Sequence, residues 1–159
     1  GSEMCIRDRA LVHHPFSEET QKETIRLSME QIPGDDPDSF DPSGKRITKM
    51  RICKEGNGLW ATTHYEAVLQ DPFWAVVCCR LETGRTHQIR ASMADLGHPL
   101  LGDGKYGVGS VNRKYGETHQ ALYSYRLRFD FPSDAGILEY LHGREFQVDE
   151  VPFQKKYFS

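Results

Sequence analysis

The sequence predicts an α+β domain built on a mixed, mainly antiparallel sheet with a few helices. Three patterns carry that expectation. Phe73 to Glu82 opens as a nearly continuous apolar run, the mark of a central strand. Ala121, Tyr123, Tyr125, Leu127, Phe129 and Phe131 alternate with Gln120, Ser124, Arg126, Arg128 and Asp130, with Leu122 the exception, as in a strand with one buried face. Between them, Ile89, Met93 and Leu96 recur at helical spacing.

In chain order, Gly1-Ser2 resembles a cloning scar and SEMCIRDR resembles translated adapter sequence at the end of a gene read. The division expected is therefore 1–9 as an appended segment and 10–159 as one domain, with no function given to Cys5, Arg7, Asp8 or Arg9. GDDPDSFDPSG, at 34–44, reads as a flexible loop with four aspartates. Lys45, Arg46, Lys49, Arg51 and Lys54 follow it with no intervening acid. Thr63, Tyr65, Ala67 and Leu69 alternate with Thr62, His64 and Glu66, which predicts a half-buried strand. In the helix after the central strand, Thr86 can cap the start, Gly97 suits a left-handed end, and Pro99 prevents continuation. Pro132 ends the aromatic strand, and a weaker helix is expected from Ala135 to Leu141.

Composition narrows the function classes. The 159 residues, 38% hydrophobic and 27% charged, suffice for one sizeable core. The longest apolar run, Phe73 to Cys79, is far short of the roughly 20 residues of a membrane helix. Cys78 and Cys79 are adjacent in that run and read as small buried hydrophobes, which together with the lack of a C-x-x-C pair points to a reducing, cytoplasmic setting. The net charge of −3 does not describe a general polyanion binder. Its distribution does more: from Arg80 to Arg128 eight Lys or Arg stand against four Asp or Glu. Solvated surface charge explains that excess equally well.

The chemistry concentrates in Thr83 to Gly107, TGRTHQIRASMADLGHPLLGDGKYG. A tight Thr83-Gly84 turn leads straight into a helix whose first residues include His87, Gln88 and Arg90, with Arg85 just before it. Cations at a helix N-terminus are unfavourable unless an anion is present. Arg85 and Arg90 therefore call for a phosphate or carboxylate partner. An ion pair between Arg90 and an acid elsewhere in the fold satisfies the same demand. His87, His98, His119, Cys78 and Cys79 match no zinc-ligand spacing, so no metal is expected. Gly102-Asp103-Gly104-Lys105 lacks the spacing and hydroxyl of a P-loop. The aromatic face of the Ala121 to Phe131 strand reads as core, whereas Tyr106, between Gly104 and Gly107, is the better nucleic-acid contact.

This segment resembles the third motif of RluA-type RNA pseudouridine synthases, T-G-R-T-H-Q-I-R continuing through G-H-P to G-D and Y-G. The resemblance extends outward through Ala61-Thr62-Thr63-His64-Tyr65, through His119-Gln120-Ala121-Leu122-Tyr123-Ser124, and through Leu127 to Phe131 and Asp134 to Phe146. It implies a mixed, mainly antiparallel sheet with an RNA cleft, and isomerisation of uridine to pseudouridine in ribosomal or transfer RNA without metal or nucleotide cofactor. It also implies that Arg90 pairs with a nucleophilic aspartate and keeps it ionised. Arg85, Thr86, His87, Gln88, Lys105 and Tyr106 would then face RNA.

The sequence departs from the pattern in three places. No H-R-L-D occurs in the 159 residues. Aligning Ala10-Leu11-Val12 with the family's R-Y-x-A-L-V strand puts Asp8 where the tyrosine belongs. Ser92 stands where the family often has histidine. These departures imply an N-terminally truncated catalytic domain that is inactive alone, or else a non-catalytic RNA-binding module.

Overall fold

The computed structural model describes residues 4–32, 49–53, 58–85, 87–129, 143–148 and 151–158. Among the described residues seven strands form one sheet: β1 (Met4–His13), β2 (Lys22–Ile32), β3 (Lys49–Cys53), β4 (Leu59–Gln70), β5 (Trp74–Leu81), β6 (Leu122–Phe129) and β7 (Glu145–Gln147). Their order is β3-β2-β4-β5-β1-β6-β7, and all six pairings are antiparallel. The helices are α1 (Gln88–Asp95), α2 (Gly109–Tyr115) and α3 (Pro152–Phe158). None of them is long and apolar enough to cross a membrane.

β5 is central, as its apolar run requires, and it divides two cores by strand alternation. Ala75, Val77 and Cys79 join Ala10, Val12, Ile25 and Tyr65 on one face, where Ile89 and Met93 of α1 seal them. Trp74 and Val76 join Leu11 and Leu101 on the other, under Val111 of α2 and Phe153, Tyr157 and Phe158 near the chain's end. Residues 4–9 continue β1 between β5 and β6, with Asp8 opposite Cys79 and Ser124.

Two register shifts modify the expected strand faces. Between Ala67 and Leu69 the β4–β5 ladder gains a residue, so Leu69 is exposed although Ala61, Thr63 and Tyr65 are buried. On β6, Asp8 pairs with Ser124 and Arg7 with Arg126, leaving Tyr125 as the extra residue. The predicted single aromatic face is broken there: Tyr125 is buried, Tyr123 is exposed, and Leu122 packs on the first core while Ala121 packs on the second.

α1 ends as expected. Gly97 has φ +85, its N–H meets Ala94 O at 3.0 Å, and the His98 N–H meets Met93 O at 2.9 Å, a Schellman closure. Its start differs from expectation. The residue in the N-cap position is His87, left-handed at φ 54, and no side chain caps the helix. Thr86 lies outside the described residues, as do the aspartate-rich loop, Phe131, Pro132 and the helix expected from Ala135 to Leu141. α2 and α3 were not foreseen. Each is seven residues long and is held by tertiary contacts that no local periodicity announces.

Candidate nucleic-acid interface

The turn from β5 into α1 is built around Gln88, which is 2% exposed. Its Nε2 donates to Thr62 O and Thr63 Oγ1, both at 3.0 Å. Its Oε1 accepts from Thr83 Oγ1 at 2.9 Å and from the Arg85 N–H at 3.1 Å. The amide thus ties the incoming turn to β4. Gln88 was expected to face RNA; the fold turns it inward, because a full set of partners waits under the turn.

Arg90 points to the segment after α1. Main-chain bonds seat that segment beside β1: His13 N to Pro99 O at 2.9 Å, Leu101 N to Leu11 O at 3.0 Å, and Ala121 N to Leu101 O at 2.8 Å. Gly102 then turns at φ +79, where a Cβ would lie 1.9 Å from His119 O. Gly107 is required as well, since its Cβ would stand 2.4 Å from Asp103 O. Asn112 of α2 locks the loop, accepting the Gly102 N–H at 2.8 Å and donating to Asp103 O at 3.0 Å.

This loop presents Asp103, whose side chain is fully buried, to Arg90. The guanidinium donates through Nε and Nη2 to the two carboxylate oxygens, both at 2.8 Å. Oδ1 also accepts the Lys105 and Tyr106 N–H groups at 2.9 and 3.0 Å. Burial pushes the Asp103 carboxyl up, but the Arg90 bonds, the two backbone donors and the Arg90 charge outweigh it and hold it below the usual carboxylate range. Among the described residues Arg90 Nη1 has no hydrogen-bond acceptor. The Arg90 Cζ lies 5.2 Å from the Tyr106 ring centroid, and Lys49 Nζ lies 5.7 Å from it.

Tyr106 links the remaining parts. Its Oη accepts the Met50 N–H at 2.8 Å and lies 3.0 Å from His87 Nδ1. With Met50 donating, the phenol proton is free to point at Nδ1, which suits a neutral imidazole. Burial, then the Arg90 and Lys105 charges, lowers the His87 pKa in the same sense. Burial and the Arg90 charge also lower Lys105, with Lys49 adding to the effect. Lys49, Arg90 and Lys105 are thus near enough to act on one another electrostatically, with Asp103 the acid among them.

His87, Arg90, Lys105 and Tyr106 come together as one cluster. Arg85 does not join their hydrogen bonds; its Nε donates to Trp60 O at 3.0 Å. Asp8, at the tyrosine position, accepts Ser124 Oγ at 2.6 Å and is raised by burial. Sequence reasoning did not single out Asp103, Asn112 or Trp60 as site residues. The G-D pair in the motif was the available signal for Asp103, and nothing local marked Asn112. No three His, Cys, Asp or Glu side chains converge as an ion-holding group among the described residues.

The fold thus gathers a partly buried, carboxylate-held arginine on α1 with Lys49 of β3 and Lys105 of the 102–107 loop near it. The family model described as RNA pseudouridylate synthase matches residues 9–95, more than half the chain, and the chain belongs to that family. Ribosomal large subunit pseudouridine synthase D of Zymomonas mobilis is 39% identical over 89 residues, covering 53% of this chain and 28% of that protein. The protein of the same name from Buchnera aphidicola is 35% identical over 111 residues, covering 69% of this chain and 32% of that protein. The chain therefore spans about a third of the length of these relatives. Among solved structures, human RNA Pseudouridylate Synthase Domain Containing 1 superposes with a TM-score of 0.63 over 97% of this chain and 65% of that chain. At 20% identity, that likeness speaks to the fold.

Proposed function

We propose that this chain is the C-terminal portion of the catalytic domain of a cytoplasmic RNA pseudouridine synthase. The reaction would isomerise uridine to pseudouridine in RNA, ribosomal or transfer, with no metal or nucleotide cofactor. The names of the curated relatives favour ribosomal RNA. The observation that carries the reading is Arg90: it sits in the matched motif, two of its nitrogens are committed to Asp103, and Lys49 and Lys105 add positive charge around it.

Such a site favours one more anion. In the chemistry proposed, that anion is the nucleophilic aspartate, which helps detach uracil from the ribose before the base rotates and rejoins through carbon 5. The fixed guanidinium keeps the carboxylate ionised where desolvation would protonate it. His87, Lys105 and Tyr106, with Arg85, are assigned to RNA; Thr86, assigned there as well, lies outside the described residues. Gln88 serves by holding the turn.

The sequence holds no H-R-L-D and has Asp8 at the tyrosine position, which favours a second reading, a non-catalytic RNA-binding module. Tritium release from uridine-labelled RNA separates the two. This chain alone is expected to release none, and a longer chain that carries H-R-L-D is expected to release tritium in an Arg90-dependent way. Silence from the longer chain would leave the binding module as the answer. Release by this chain would assign the nucleophile to another of its acids.

A further inference from the structure

The geometry points to a stacking platform for an unpaired RNA base at Trp60, outside the Arg90 cluster; this rests on the RNA reading above. Trp60 lies at the start of β4 and is 43% exposed, unusual for the largest side chain on an inner strand of a sheet. Its register partner on β2 is Ser28, and Arg26 pairs with Thr62, so Arg26 and Trp60 share one sheet face. The Arg26 Cζ lies 4.1 Å from the Trp60 ring centroid, a cation–π contact that steadies the indole. Arg85 grips the Trp60 carbonyl and links the ring to the turn that opens α1.

From Arg26 and Trp60 the same face continues into a groove of about 550 Å³ lined in part by Lys22, Thr24, His64, Glu66 and Arg80. His64 is held between Thr24 Oγ1 at 2.7 Å and Glu82 at 2.8 Å, so its ring is not poised for a ligand. A wet aromatic beside Arg26 and Arg85, with Lys22 and Arg80 further along, combines the two features that single-stranded nucleic acid uses: a π-face for a base and cations for its backbone. Glu23 and Glu66 also line that groove, so the cations that distinguish this face are Arg26 and Arg85 beside the ring.

The chain's two tryptophans make the test direct, because the other, Trp74, is 7% exposed. Emission is followed while a short oligouridylate is added at low salt, and anisotropy of the same RNA carrying a dye is followed in parallel. Trp60 emission is expected to be quenched with the midpoint the anisotropy reports. Trp60→Ala should abolish the quench and weaken binding about 5- to 150-fold, the contribution of one stacked base. Trp60→Phe should restore most of the affinity, and the unshifted emission of Trp74 shows that each variant is folded. RNA binding by anisotropy with Trp60 emission and Trp60→Ala affinity unchanged overturns the platform and leaves the RNA reading standing. Binding by neither signal overturns both. Quenching that grows with protein concentration before RNA is added assigns the face to a second copy of the chain and overturns the platform.

Discussion

Gln88 and Arg90 sit two residues apart on the first turn of α1, and both are held by inward-facing partners, yet they do different work. Gln88 is neutral, and its side chain makes four ordinary hydrogen bonds within 3.1 Å. Arg90 makes two charge-assisted bonds to one buried carboxylate. The first arrangement fixes backbone at any pH. The second fixes a charge, at the cost of desolvating both partners. The Arg90 guanidinium is thus aimed by an acid buried beneath it.

The sharpest way to break that comparison is to remove the acid. Asp103→Ala should cost about 3–5 kcal/mol, because it leaves Arg90 partly buried without its partner and two N–H groups without an acceptor. The loss would appear as a lower urea midpoint with an unchanged slope. A cost below about 1 kcal/mol would mean that the pair is not a structural commitment. Gln88→Ala ranks second, at about 2–3 kcal/mol, since several buried groups lose a neutral partner at once.

Acid titration separates the two arrangements, because the amide of Gln88 does not titrate and the carboxylate under Arg90 does. The His87 pKa in the folded chain lies below its ordinary 6.5, so the unfolded chain takes up that proton first. Its contribution is complete above about pH 6.5 and is lost as the pH falls below that value. The Asp103 carboxyl lies below its ordinary 3.8, so its contribution is present above that pH and lost on further acidification. Stability should therefore fall in two stages on acidification. Asp103→Asn should shrink the lower stage, to which Glu117 also contributes, and Gln88→Ala should leave both in place. The smallest effect is expected at Lys156, whose pair with Glu117 is largely exposed. Lys156→Ala should change stability by less than about 1 kcal/mol.

The parts of this molecule legible in its sequence were those written in local pattern. The apolar run of β5, the stripe of Ile89 and Met93, and the left-handed Gly97 all appear where periodicity and turn chemistry put them. The motif drew attention to His87, Arg90, Lys105 and Tyr106, which the fold gathers. The inward turn of Gln88 was not legible, because a glutamine at a helix start looks the same whether its partners are water or Thr62 and Thr63. The bulges at Ala67/Leu69 and Arg7/Asp8 were hidden for a similar reason: a register shift belongs to two strands together.

By itself, then, the sequence determined the class of the sheet, the strand–turn–helix that carries the cations, and the glycine that ends α1, since each depends on neighbours along the chain. Tertiary structure alone decided that Asp103 lies beneath Arg90, that Asn112 locks the loop, and that Arg26 stands over Trp60. Those contacts join residues 13, 9 and 34 positions apart, and their geometry exists only after β1, β2 and β4 have set where each loop must land.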